Sequence, residues 1–153
     1  MKLGFIGCGN MANAMIAGII GNGICKAEEI IGTAKSEASR VRVNKEFGIY
    51  MTEDNKEAAE KADVIVLSVK PQFYEEVICE IKDVMKDNQI VVTIAPGKTL
   101  AWLEEKFGKP VKLVRTMSNT PAMVQEGMTG VCKNTYVTEC EMEHVCDILR
   151  GFG

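Results

Sequence analysis

The chain has 153 residues, 46% of them hydrophobic and 25% charged, with a net charge of −3. This length suits one compact domain, which buries roughly 68–70% of its unfolded surface and needs no disulfide or metal staple to fold. The small net charge argues against the basic field that nucleic acid or an anionic membrane would attract.

Short apolar runs alternate with amphipathic stretches from end to end, the pattern of a parallel sheet with crossover helices. The first strand is Leu3–Ile6, followed by a helix over Met11–Ile20. A second strand, Glu29–Gly32, leads to a helix over Glu37–Phe47, and a third, Ile49–Met51, to a helix over Lys56–Lys61. The fourth strand, Val64–Val69, is nearly continuous in β-branched and apolar residues, as expected where helices cover both faces. After it, Phe73–Met85 reads as a helix, with Phe73, Val77, Ile81 and Val84 on one face and Glu75, Glu76, Glu80 and Lys82 opposite. Strands at Ile90–Ile94, Val111–Thr116 and Met128–Cys132 complete the set, with helices at Leu100–Phe107 and Glu139–Leu149. Asp54-x-x-Glu57 and Thr138-x-x-Glu141 carry the capping-box spacing at two helix starts. The expected class is therefore α/β, a doubly wound, mostly parallel sheet in a three-layer sandwich.

The opening residues Met1 to Ile6 lack the basic start and apolar run of a secretory signal, and no later run approaches the roughly 18–20 apolar residues of a membrane span. A cytoplasmic protein without a membrane partner is expected. The six cysteines, Cys8, Cys25, Cys79, Cys132, Cys140 and Cys146, form no Cys-x-x-Cys pair, so free thiols and no metal site are expected. His144, the single histidine, excludes mechanisms that need two and reads as a surface side chain among acids.

Gly7-Cys8-Gly9-Asn10-Met11-Ala12 is a G-x-G-x-x-A motif between the first strand, ending at Ile6, and the first helix. In that position it is a dinucleotide fingerprint of the Rossmann type. Gly7 permits the tight turn, Gly9 lets the backbone approach a pyrophosphate, and the small Ala12 lets the helix pack close. The helix N-terminus offers the phosphates its unpaired N–H groups and partial positive charge. An NAD site would carry an acid at the end of the second strand. Here stand Thr33-Ala34-Lys35-Ser36, hydroxyls and a lysine that suit a 2′-phosphate, so NADP(H) is preferred and NAD(H) is the alternative. Arg40, one helical turn on, reads either as part of that clamp or as a solvated charge. Pro71, Pro96 and Pro121 each follow a strand closely, on the sheet edge where ligands of open α/β folds bind.

Further segments carry a more specific pattern: Asp63-Val-Ile-Val-Leu-Ser-Val-Lys-Pro-Gln72, Ile94-Ala-Pro-Gly97, Val114-Arg-Thr-Met-Ser-Asn-Thr-Pro-Ala122 and Glu126-Gly-Met-Thr129. With Phe5-Ile-Gly-Cys-Gly-Asn-Met-Ala12 they resemble the pyrroline-5-carboxylate reductase family along nearly the whole chain. The sequence departs from that pattern at Ser118, where the family carries Pro, and at Pro96, where it carries Ala. The resemblance implies NAD(P)H-dependent reduction of the small molecule 1-pyrroline-5-carboxylate to L-proline, the last step of proline biosynthesis. It also implies that Gly7, Gly9, Asn10 and Met11, after Ile6, line the pyrophosphate. Thr33, Ala34, Lys35 and Ser36 would surround the 2′-phosphate, with Asn55 near the adenosine. Val69, Lys70, Pro71, Ala95 and Pro96 would flank the nicotinamide, Ser68 is a further cofactor-binding residue, and Lys70, Asn119 and Thr120 are the candidates for orienting substrate and nicotinamide. The family pairs such a domain with a helical one that makes a homo-oligomer, so residues 1–153 are expected to be the NAD(P)-binding part, with little reductase activity alone. A stand-alone NADP-binding module, or another reductase such as a β-hydroxyacid dehydrogenase or ketopantoate reductase, is the alternative.

Overall fold

The computed structural model describes residues 2–118 and 128–150. The chain runs β1 (Leu3–Ile6), α1 (Asn10–Gly21), β2 (Ile30–Thr33), α2 (Glu37–Phe47), β3 (Tyr50–Thr52), α3 (Asn55–Lys61), β4 (Val64–Leu67) and α4 (Tyr74–Ile81). It continues through β5 (Ile90–Thr93), α5 (Leu100–Phe107), β6 (Lys112–Ser118), β7 (Met128–Lys133) and α6 (Glu139–Leu149). Single 3₁₀ turns at Ala27–Glu29 and Pro71–Phe73 precede β2 and α4.

The seven strands form one sheet in the order β3-β2-β1-β4-β5-β6-β7, parallel throughout except for the antiparallel β6–β7 pair. This is the doubly wound, Rossmann-type order, and the direction of winding reverses between β1 and β4. Every residue of β1, β2, β4 and β5 is buried, because helices cover both faces. One face packs Leu3, Phe5, Val64 and Val66 against Ala12, Met15, Ile16 and Ile19 of α1, Val43 of α2 and Val145, Ile148 and Leu149 of α6. On the other, Ile6, Ile65, Leu67 and Val91 meet Ala58 and Ala59 of α3, Tyr74, Val77, Ile78 and Ile81 of α4, and Leu103 and Phe107 of α5. The three-layer sandwich read from the sequence is the fold observed.

Three local expectations change. Asp54 caps α3 by accepting from the Lys56 N–H (3.0 Å), but Glu57 does not return to the cap; the Asp54 N–H goes to the Thr52 hydroxyl, and Glu57 takes Tyr50 Oη and Lys61 Nζ, each at 2.8 Å. The box at Thr138 and Glu141 forms in full. β4 stops at Leu67, since Ser68 turns to donate its hydroxyl to the carbonyls of Ile6 (3.0 Å) and Gly7 (2.8 Å). The helix expected over Phe73–Met85 starts at Tyr74, because Pro71 first opens a 3₁₀ turn whose tighter winding rotates the face, and it ends at Ile81, after which Lys82 to Val84 form turns. Tyr74, Val77, Ile78 and Ile81 are the buried positions, and Phe73 is 41% exposed.

Candidate functional site

The loops at the carboxyl ends of β1 to β4 enclose a cleft of about 290 Å³, at the point where the strand order reverses. Open α/β sheets bind their ligands there. Its floor is the glycine turn. Gly7 has φ +93°, and a Cβ on it would lie 2.5 Å from Val69 Cγ1 and 3.0 Å from the Val69 backbone, so both conformation and space demand glycine. Gly9, in contrast, has nothing within 4 Å of its Cβ position and faces open space. It caps α1 without a side chain, and the first turn of α1 carries no acid, so N–H groups at this helix start are unfilled donors.

Neighbouring strands hold the turn in place. The Gly7 N–H donates to the Thr33 hydroxyl (3.0 Å), the Cys8 N–H to the Thr33 carbonyl (2.8 Å), and Ser68 fixes the other side as described. Thr33 and Ser68 line the cleft and also brace it: the Thr33 hydroxyl oxygen accepts from the Gly7 N–H, and the Ser68 hydroxyl donates to the Ile6 and Gly7 carbonyls. The Cys8 thiol is packed where a Cβ on Gly32 would lie 2.6 Å from its sulfur, and burial pushes it up to about 12. It is therefore a neutral thiol and no nucleophile. Tyr74 Oη donates to the Leu67 carbonyl (2.5 Å) and accepts from the Ile94 N–H (3.3 Å), tying the ends of β4 and β5 together beneath their loops.

Of the residues expected to bind cofactor, the cleft brings together Gly7, Gly9, Thr33, Ala34, Lys35, Asn55, Ser68, Val69 and Lys70. Ile6 is wholly buried in the core, and Met11 packs its side chain against the α1 face of the core. Asn10, exposed at the start of α1, is outside the lining. Ser36 also lies outside it and caps α2 by accepting from the Ser39 N–H (3.1 Å). Pro71 is exposed at the start of its turn; Ala95 and Pro96 follow β5, one strand beyond the cleft, with Ala95 buried and Pro96 exposed. Asn119, Thr120 and Pro121 lie outside the described residues. Arg40 Nη1 donates to the carbonyls of Ala34 (2.9 Å) and Lys35 (2.8 Å), so it braces the loop after β2.

The sequence reading missed Glu53, Phe73, Glu76, Val77 and Glu80, which also line the cleft. Lys35 Nζ sits 5.6 Å from the centre of the Phe73 ring, spanning the two loops, and Asn55 Nδ2 approaches Glu80 Oε1 at 3.4 Å. The signal for Phe73 was available in Pro71, which forecasts a turn ahead of the helix. Among the described residues, no group of three or more His, Cys, Asp or Glu side chains is placed to hold a metal ion, and no helix is long and apolar enough to cross a membrane.

The family model described as NADP oxidoreductase, coenzyme F420-dependent, matches residues 2–97, from β1 through the turn after β5. The chain belongs to this family. The chain is 38% identical to the pyrroline-5-carboxylate reductase of Vibrio alginolyticus, over 99% of this chain and 56% of that protein. The structure of a pyrroline-5-carboxylate reductase from Coxiella burnetii superimposes with a TM-score of 0.93 at 35% identity, covering 99% of this chain and 56% of the other. The Plasmodium falciparum pyrroline carboxylate reductase with NADP bound gives 0.86 at 32%, covering 100% and 55%. The chain thus spans about half the length of the curated relatives it matches.

Proposed function

We propose that residues 1–153 form an NAD(P)-binding domain that prefers NADP(H), with NAD(H) as the alternative, and that works in the reduction of 1-pyrroline-5-carboxylate to L-proline. What carries this reading is the glycine turn, where Gly7 admits no side chain while Gly9 opens onto the cleft. A pyrophosphate fits that space, facing the start of α1. The identity of the relatives supplies the substrate class. A reduced nicotinamide supplies a hydride to the imine carbon.

The residues of this chain bind and orient. Backbone N–H groups of Asn10 and Met11 at the start of α1, beside the open space at Gly9, receive the pyrophosphate, Lys35 faces the adenosine end, and Ser68 and Thr33 keep the turn rigid. Lys70, exposed on the cleft wall at the end of β4, attracts the carboxylate of the imine substrate and orients it. Asn119 and Thr120 are proposed to orient substrate or carboxamide groups. A cytoplasmic, homo-oligomeric enzyme acting on a small molecule completes the reading.

The test has two parts. NADPH fluorescence titrated with the chain should reveal saturable binding; no binding would overturn the domain reading. Imine-dependent NADPH oxidation by the chain alone should run far below that of the Vibrio alginolyticus enzyme, and equal turnover would show that residues 1–153 contain the whole catalytic apparatus.

A further inference from the structure

Resting on that cofactor reading, we propose that Glu53 selects between the two forms of the dinucleotide, accepting from an unmodified adenosine ribose and opposing a 2′-phosphate. The end of β2 carries no acid, but the adjoining strand supplies one. Thr33 and Thr52 are register partners in the parallel β2–β3 pair, and the Ala34 N–H donates to the Thr52 carbonyl at 3.2 Å. Glu53 therefore leaves the sheet beside Ala34 and Lys35 and lines the same cleft. Its position is one strand over from the acid of an NAD site, on the same edge.

The charges around it are unequal. Arg40 Nη1 stands 3.9 Å from Glu53 Oε2, yet the same nitrogen already donates to the Ala34 and Lys35 carbonyls. Glu53 keeps 75% of its side chain exposed, so it is only loosely paired. Lys35, an exposed cation on the same loop as Ala34, is turned toward Phe73 across the cleft. A ribose hydroxyl placed here donates to Glu53. A 2′-phosphate pairs with Lys35 and is repelled by Glu53. The two side chains pull in opposite directions, which narrows the preference for NADP(H) that Lys35 alone would give.

The experiment titrates NADPH and NADH into the unaltered chain, Glu53→Gln and Lys35→Gln, following nicotinamide fluorescence. Both side chains are exposed, and far-UV circular dichroism checks that the variants keep the fold. Glu53→Gln should tighten NADPH about two- to fivefold and weaken NADH by about tenfold. Lys35→Gln should weaken NADPH by about tenfold and leave NADH within about twofold. An unchanged NADPH-to-NADH ratio in Glu53→Gln overturns the role of Glu53 alone, whereas binding of neither dinucleotide to the unaltered chain overturns the cofactor reading with it.

Discussion

Two glycines two residues apart do opposite work, and substitution separates them. Gly7→Ala places a methyl group against Val69 at a positive φ, and should cost about 1–3 kcal/mol of stability as well as cofactor binding. Gly9→Ala adds a methyl group to open space on a backbone that alanine adopts, so stability should stay within about 0.5 kcal/mol. NADPH affinity should nevertheless fall, because the methyl group would fill the space proposed for the pyrophosphate. Urea melts and fluorescence titrations on the two variants read these outcomes. Tyr74 makes a second residue-scale prediction. Tyr74→Phe strips the Leu67 carbonyl and Ile94 N–H of their shared partner and should lower stability by about 1–3 kcal/mol, seen as a lower urea midpoint at unchanged slope.

At the scale of elements, β3 and α3 are joined by charge more than by packing. Glu57, in the first turn of α3, accepts from Lys61 on its own helix and from Tyr50 on β3, while Lys61 also lies 5.2 Å from the Tyr50 ring centre. The bonds from Lys61, then Thr52 and Tyr50, hold its carboxyl down from 4.5 to about 2. A carboxyl depressed by folding adds stability above its unfolded value, and that contribution is lost as pH falls from about 4.5 toward about 2. Stability should therefore decline across that window, and Glu57→Gln should make the decline shallower in thermal melts taken at a series of pH values. The effect is modest, because 26% of the Glu57 side chain remains exposed.

Across the whole molecule, the cleft draws on loops from four separate strands, so its formation depends on the sheet being intact. A ligand that binds only the folded chain raises its stability by mass action, about 2.7 kcal/mol at a hundred times the dissociation constant. NADPH should thus raise the melting temperature in a concentration-dependent way. An unmoved melting temperature at saturating NADPH would contradict the cleft as the binding site.

Local chemistry alone determined much of this protein. The alternation of apolar runs with amphipathic helices forecasts the sheet and its two covering layers, since burial on both faces leaves an unbroken apolar signature in strands such as Val64–Leu67. The turn at Gly7 is equally legible, because its positive φ and its closeness to Val69 leave room only for glycine. Tertiary structure decided which polar groups remain available. Thr33 and Ser68 line the cleft and also hold the backbone of the glycine turn, and Arg40, which reads either as part of a phosphate clamp or as a solvated charge, braces the loop after β2. Glu53 and Phe73 carry no motif and enter the cleft only because β3 pairs with β2 and a 3₁₀ turn rotates the start of α4. Hydrogen-bond partners far apart in the chain are set by strand order and register, and those are properties of the assembled sheet.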